Sequence, residues 1–149
     1  MSIESIALWH KRARPTPTSE QADVQLGCHF EEIVEMFDNI LIDTFDSLEM
    51  HNAFVDAHTG LKTLSEALKT GRITFDMAHN KDFLDSLADQ IVTAVGVGHC
   101  CGLDIAEAVS RVNTSNWSKF DQDGQPIFDS HGKIVKGLNY APPDLEGLY

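Results

Sequence analysis

His29-Phe30-Glu31-Glu32-Ile33-Val34-Glu35-Met36-Phe37-Asp38-Asn39 is the stretch that decides the fold class. Glu31 and Glu35 are four residues apart, and Glu32, Glu35 and Asp38 succeed one another at intervals of three. Both intervals bring side chains to one face of an α-helix. Ile33, Met36, Phe37 and Ile40 form an apolar stripe at the same period. Like charges at these spacings repel, and positions 19–61 contain no Lys or Arg. Solvent, a basic partner or a divalent cation must therefore offset the repulsion. An oxygen-rich Mg²⁺ site is one reading of the helix, and a solvated acidic face is the other.

Working outward, the 149 residues suit a single domain, 1–149, large enough for a core of its own. Hydrophobic residues make up 42% and charged residues 23%, ordinary values for a globular chain. The net charge of −12 argues against binding to a nucleic-acid polymer, which needs a basic patch. It leaves nucleotides open as ligands, because a metal ion can bridge carboxylates to phosphates. No apolar run approaches a membrane span, and Trp9-His10-Lys11-Arg12 interrupts anything resembling a signal peptide. Cys28, Cys100 and Cys101 are few and odd in number, as in a reducing compartment. The expectation is a cytoplasmic protein without a membrane partner.

Periodicity predicts five helices. The first covers 2–13, within an N-terminal segment 1–18 that Pro15 and Pro17 close with a turn. The second covers 20–42, with Ser19 as its cap and Gly27 inside it. An interior Gly costs about 1 kcal/mol relative to Ala, so Gly27 marks a bend or a close approach. The third covers 43–69, with a break expected at Thr59-Gly60 and a stop at Gly71. The fourth covers 81–101, capped by Asp76 or Asn80, with Gly96 and Gly98 suited to tight packing and Gly102 just past its end. The fifth covers 105–117, with Asp104 as cap and Glu107 at its third position. In 121–149, Asp123-Gly124 and His131-Gly132 bracket two short extended runs, a hairpin signal, before an extended tail at Ala141-Pro142-Pro143. The expected class is all-α, a bundle of four to five helices with a short C-terminal β-hairpin.

The fourth helix repeats the acidic pattern with Asp82, Asp85 and Asp89 at spacings of three and four. Two such helices, packed with their acids converging, can hold one or two Mg²⁺ ions, which activate water and bind polyphosphate. Glu31-Glu32-x-x-Glu35 followed by Asp89 resembles the all-α nucleoside triphosphate pyrophosphohydrolases, the MazG-like and phosphoribosyl-ATP pyrophosphohydrolase-like superfamily. The resemblance continues through Leu87-Ala88-Asp89, Gly96, Gly102-Leu103-Asp104 and Ala108-Val109-Ser110-Arg111-Val112-Asn113-Thr114-Ser115-Asn116-Trp117-Ser118-Lys119. Asp123-Gly124-Gln125-Pro126, Gly132-Lys133, Lys136-Gly137 and Pro142-Pro143-Asp144-Leu145 look most like the small phage-type members. The likeness spans about 28–145.

The resemblance implies a MazG-like helical bundle, assembled as a homodimer or homotetramer. It implies Mg²⁺ (with Mn²⁺ as substitute) and cleavage between the α- and β-phosphates by metal-activated water. Glu32, Glu35 and Asp89 would be metal ligands, and Glu31 a further ligand or the group orienting water. Asn116 and Lys119 would contact phosphate or sugar. Apart from the resemblance, Lys136 is a candidate phosphate contact by its charge, and Tyr140 is a candidate substrate contact through its ring. There is one departure. The usual second motif, Glu-x-x-Asp, would place Glu at position 86, where this chain has Ser86. Asp85, Asp38 or Asp82 are the acids at hand to replace it.

Other features carry less chemistry. His99-Cys100-Cys101 lacks metal-ligand spacing, so core cysteines are expected there, and Cys28 is read as structural. Trp9, His10 and Tyr140 could cover a base or pack the bundle. No Walker loop, dinucleotide-binding glycine motif or Ser-His-Asp set is present. The expected function is Mg²⁺-dependent hydrolysis of a deoxynucleoside triphosphate, such as dGTP or dUTP, to the monophosphate and pyrophosphate. The alternatives are a phosphoribosyl-ATP pyrophosphohydrolase and a non-catalytic acidic helical interaction protein. No residue reads the base unambiguously.

Overall fold

Thr18 fixes where the second helix begins. Its hydroxyl accepts from the Gln21 amide, and the Gln21 side chain accepts from the Thr18 amide, a reciprocal capping box. The computed structural model describes residues 3–149. It is all-helical, with α1 (Ile3–Ala13), α2 (Ser19–Asp38), α3 (Leu48–Lys69), α4 (Asn80–Cys100) and α5 (Ile105–Trp117). The chain forms two compact units. One is made of Met1–Thr16, Asp76–Asp129 and Ile134–Tyr149, the other of Pro17–Phe75 and Ser130–Lys133.

The second unit is built on the pair α2 and α3. They approach closely at Gly27, where an added Cβ would stand 2.9 Å from the Ser65 carbonyl oxygen and 2.8 Å from Lys69 Cγ. Of the two readings of this glycine, a bend or a close approach, the close approach is present. The Ser65 hydroxyl, buried at the crossing, donates to the Gly27 carbonyl over 2.8 Å. Buried Asp23 fastens the segment beyond α3 by accepting from the Phe75 amide at 2.9 Å.

The first unit contains α1, α4, α5 and the C-terminal segment. Trp9 and Ala13 of α1 bury against Phe120, with Trp117 and Ile134 packed alongside. The Trp9 and Phe120 rings stack with centroids 5.6 Å apart, and the indole N–H donates to the Asn116 carbonyl at 2.8 Å. Trp9 is thus a core residue rather than a cover for a base. Gly98 of α4 lies against Ile105 at the start of α5, where an added Cβ would approach to 2.9 Å, whereas Gly96 faces open space. Arg111 ties α5 to the tail by donating to the Asp144 carbonyl.

Several boundaries differ from the periodicity. Position 2, expected in the first helix, lies outside the described residues. Thr18, not Ser19, caps α2. That helix ends at Asp38 rather than at 42, because the Asn39 side chain folds back to donate to the Glu35 carbonyl. Correspondingly α3 starts at Leu48, where the Ser47 hydroxyl accepts from the Met50 amide. It runs unbroken through Thr59-Gly60, where a single interior glycine costs only about 1 kcal/mol relative to Ala. At α4 neither Asp76 nor Asn80 is the cap. His79 holds that position, and the Asp76 carboxylate accepts from Met77 instead. Asp104 and Gly102 behave as expected: Asp104 accepts from Glu107, and Gly102 adopts φ +75°. The expected hairpin is reduced to one antiparallel bridge between Phe128 and Ile134. Pro126 has no amide to extend it on one side, and Gly137 sits tightly against Ile127 and Lys119 on the other.

Among the described residues, no large side chain is fully enclosed. Leu84, Ile91, Val92 and Val95 of α4 are all exposed. Among the described residues, no helix is long and apolar enough to cross a membrane.

Candidate functional site

The crossing of α2 and α3 places the acidic face. One turn beyond Gly27, Glu31 stands opposite Lys69, itself one turn beyond Ser65. Lys69 Nζ donates to Glu31 Oε1 at 2.7 Å, and Lys133 Nζ donates to Glu31 Oε2 at 2.9 Å. Each oxygen of one carboxylate thus accepts from a separate ammonium group. Partial burial pushes the Glu31 carboxyl up, but the two lysines together outweigh that and hold it below the usual glutamate value. The same hydrogen bond raises Lys133, against a smaller opposing effect of its own burial.

Beside this clamp lies a cavity of about 180 Å³ lined by Glu31, Val34, Glu35 and Asp38 from α2 and Lys62, Ser65, Glu66 and Lys69 from α3. Four acidic and two basic residues are among those that line it. Asp38 also meets His58, whose Nε2 is 2.9 Å from Asp38 Oδ1, and the His58 ring lies 6.2 Å from that of Phe37. The spacing that put Glu31, Glu35 and Asp38 on one face is therefore realised. Glu32, on the same helix, is exposed and outside this lining.

Asp82, Asp85 and Asp89 lie exposed along α4, in the other unit. The Ser86 hydroxyl donates to the Asp82 carbonyl at 2.9 Å, so it is turned onto its own helix. Thr93 makes the same bond to the Asp89 carbonyl at 2.8 Å. Among the described residues, no three His, Cys, Asp or Glu side chains group closely enough to hold a metal ion. Carboxylate oxygens remain the donor type that suits a hard cation, and the lining of the α2–α3 cavity supplies them.

The expected substrate contacts lie in the first unit. The Asn116 carbonyl accepts from the Trp9 indole and from the Lys119 amide at 3.2 Å. Lys136 Nζ sits 4.7 Å above the Tyr140 ring centroid, a cation–π pair that brings two of these residues together. Cys100 and Cys101 are exposed, which corrects the expectation of core cysteines, and Cys28 is partly buried.

Lys62, Ser65, Glu66, Lys69 and Lys133 are not among the site residues expected from the sequence. A signal for four of them exists: 62, 65, 66 and 69 recur at intervals of three and four on α3. Nothing local points to Lys133, which is 102 positions from Glu31.

The Glu31 clamp predicts a pH dependence. A carboxyl depressed on folding contributes stability that is present above its unfolded pKa, about 4.3, and lost as pH falls through the lower folded value. A lysine raised on folding contributes below its unfolded value, about 10.4, and loses that contribution as pH climbs through the folded one. Glu31→Gln is therefore expected to be less stable than the parent by a constant margin between about pH 5 and pH 10, closing on acidification. Urea unfolding of both proteins across that range measures the margin. A margin that persisted at about pH 2 would show that the charge of Glu31 is not its source.

No protein-family model, curated protein or solved structure matches the chain.

Proposed function

We propose that the protein is a Mg²⁺-dependent nucleoside triphosphate pyrophosphohydrolase of the MazG-like kind, acting on a deoxynucleotide such as dGTP or dUTP in the cytoplasm. The observation that carries this reading is the cavity between α2 and α3, lined by Glu31, Glu35, Asp38 and Glu66 together with Lys62 and Lys69. Carboxylates beside ammonium groups form the donor set that a metal–polyphosphate requires: acid for the cation, base for the phosphate oxygens. The motif resemblance adds Glu32 on α2 and Asp89 on α4 as metal ligands, with Asp85 standing in for the glutamate absent at Ser86, and Asn116 and Lys119 as substrate contacts; Lys136 by its charge and Tyr140 by its ring are further candidate contacts. When bound, Mg²⁺ supplies Lewis acidity, neutralising phosphate charge and lowering the pKa of water. The chain's own part is to hold the phosphates in line for attack and to present Glu35 beside them. Both oxygens of Glu31 accept from lysines, so Glu31 offsets the charge of Lys69 and Lys133 until a phosphate takes its place. The exposed apolar residues of α4 favour a homodimer or homotetramer, in which a second copy would cover Leu84, Ile91, Val92 and Val95.

A panel assay tests the proposal. Purified protein with Mg²⁺ is offered each dNTP, dUTP, the NTPs and phosphoribosyl-ATP, and the products are separated by chromatography. Monophosphate with pyrophosphate is expected from one deoxynucleotide. Diphosphate with orthophosphate would overturn the bond assignment, and turnover of phosphoribosyl-ATP alone would change the substrate. The absence of all turnover, with Mn²⁺ as well, would favour a non-catalytic interaction protein. That second reading draws on one specific observation: both oxygens of Glu31 already accept from lysines.

A further inference from the structure

We propose that Lys69 and Lys133 form a seat for a phosphate-type oxyanion, and that Glu31 occupies this seat when no ligand is bound. The two ammonium groups converge on two different oxygens of one carboxylate, at 2.7 and 2.9 Å. A phosphate group presents two non-bridging oxygens in the same way, with more charge.

The seat is held by the fold rather than by chance side-chain reach. The stem of Lys69 passes directly over Gly27, in the space a Cβ would otherwise take. Lys69 is only 20% exposed, so its ammonium group has few alternative positions. Lys133 comes directly after Gly132, whose φ of +75° is the left-handed conformation that glycine adopts readily. Lys62 contributes a further cation to the cavity that Lys69 lines.

The charge balance explains why an internal occupant is needed. Two lysines facing each other across an empty seat would repel, and Glu31 offsets them. An incoming oxyanion competes with Glu31 and also meets Glu35, Asp38 and Glu66 across the cavity. A bare anion is therefore disfavoured, and a magnesium-complexed diphosphate is the ligand class that fits both the lysines and the acids. The inference rests on the proposed nucleotide site and deepens it, naming the groups that take the phosphate chain. It concerns binding alone.

Isothermal titration with magnesium pyrophosphate tests it on the full chain. Glu31→Gln keeps the side-chain shape and removes the competing charge, and is expected to bind roughly tenfold more tightly than the parent. Adding Lys133→Met to Glu31→Gln is expected to abolish the gain. Adding Lys69→Met should do the same, while retaining the stem over Gly27. Helical circular dichroism identifies any variant that fails to fold, and Lys133, at 45% exposure, is the safer of the two lysines to change. Equal affinity in the parent and Glu31→Gln, undiminished binding in the Lys133→Met double variant, or no binding in any folded variant would each overturn the seat. Nucleotide turnover without a Glu31→Gln gain removes the seat and leaves the proposed function standing. A Glu31→Gln gain without turnover supports the seat and removes the hydrolase.

Discussion

Trp9→Ala is expected to lower the free energy of unfolding by about 3–5 kcal/mol, the usual cost of emptying a buried Trp site. Trp9 is 7% exposed, stacks on Phe120 and meets the His10 ring edge-on at 4.8 Å. Its truncation removes an aromatic pair and also leaves the Asn116 carbonyl without the indole donor. Few residues could compensate, because no large side chain among the described residues is fully enclosed. Against a typical total of about 5–15 kcal/mol, the loss is severe. Trp9→Phe keeps a ring against Phe120 and gives up the hydrogen bond, so it should forfeit much less, with the bond itself contributing about 1 kcal/mol. Leu84→Ala, at a position 69% exposed, should change the monomer by less than about 0.5 kcal/mol. Chemical denaturation of the three variants, tracked by helical circular dichroism, gives the order. A Trp9→Ala protein as stable as the parent would show that the α1–Phe120 packing contributes little.

The second large effect concerns the carboxylates. Under the proposed function, Glu35→Ala and Asp89→Ala are each expected to reduce nucleotide turnover by more than about 100-fold, since losing even an outer group around a metal commonly costs 10–100-fold. Both side chains are exposed, so neither variant should disturb folding. The accompanying physical readout is thermal stability with and without Mg²⁺. A ligand that binds the native state raises the melting temperature as its concentration climbs above its dissociation constant, and the two variants should lose that rise. A solvated acidic face would give a weak rise with any divalent cation, reduced by added salt and nearly unchanged in the variants. That result would sink the metal-site reading.

Local features of the fold are legible in the sequence because their causes are local. Asp104 caps α5 through a bond three residues away, and Gly102 ends α4 because the chain there needs a positive φ. Gly27 is legible as a close approach because a glycine inside a helix otherwise only weakens it. The cap of α2 is misplaced by one residue, at Ser19 instead of Thr18, because two adjacent hydroxyl residues compete for it and only the Gln21 spacing separates them. The clamp on Glu31 is not legible. Lys69 and Lys133 lie 38 and 102 positions away, and no periodicity links residues on different elements. The carboxylates show as a pattern on one helix, while their partners depend on how helices cross. The hairpin misleads for the opposite reason: its turn signals are sound, but Pro126 and Gly137 limit the ladder to one bridge.

The fastening of Trp9 also has a timetable. Its acceptor Asn116 lies 107 positions downstream, and Phe120 lies further still. At ribosomal rates of about 5–20 residues per second, the first helix waits roughly 5–20 s for the residues that cover it. Meanwhile α2 and α3, adjacent in the chain, can pair as soon as they emerge. A nascent chain that stalls before Phe120 therefore displays an uncovered indole on a short amphipathic helix, the kind of surface that chaperones and proteases recognise.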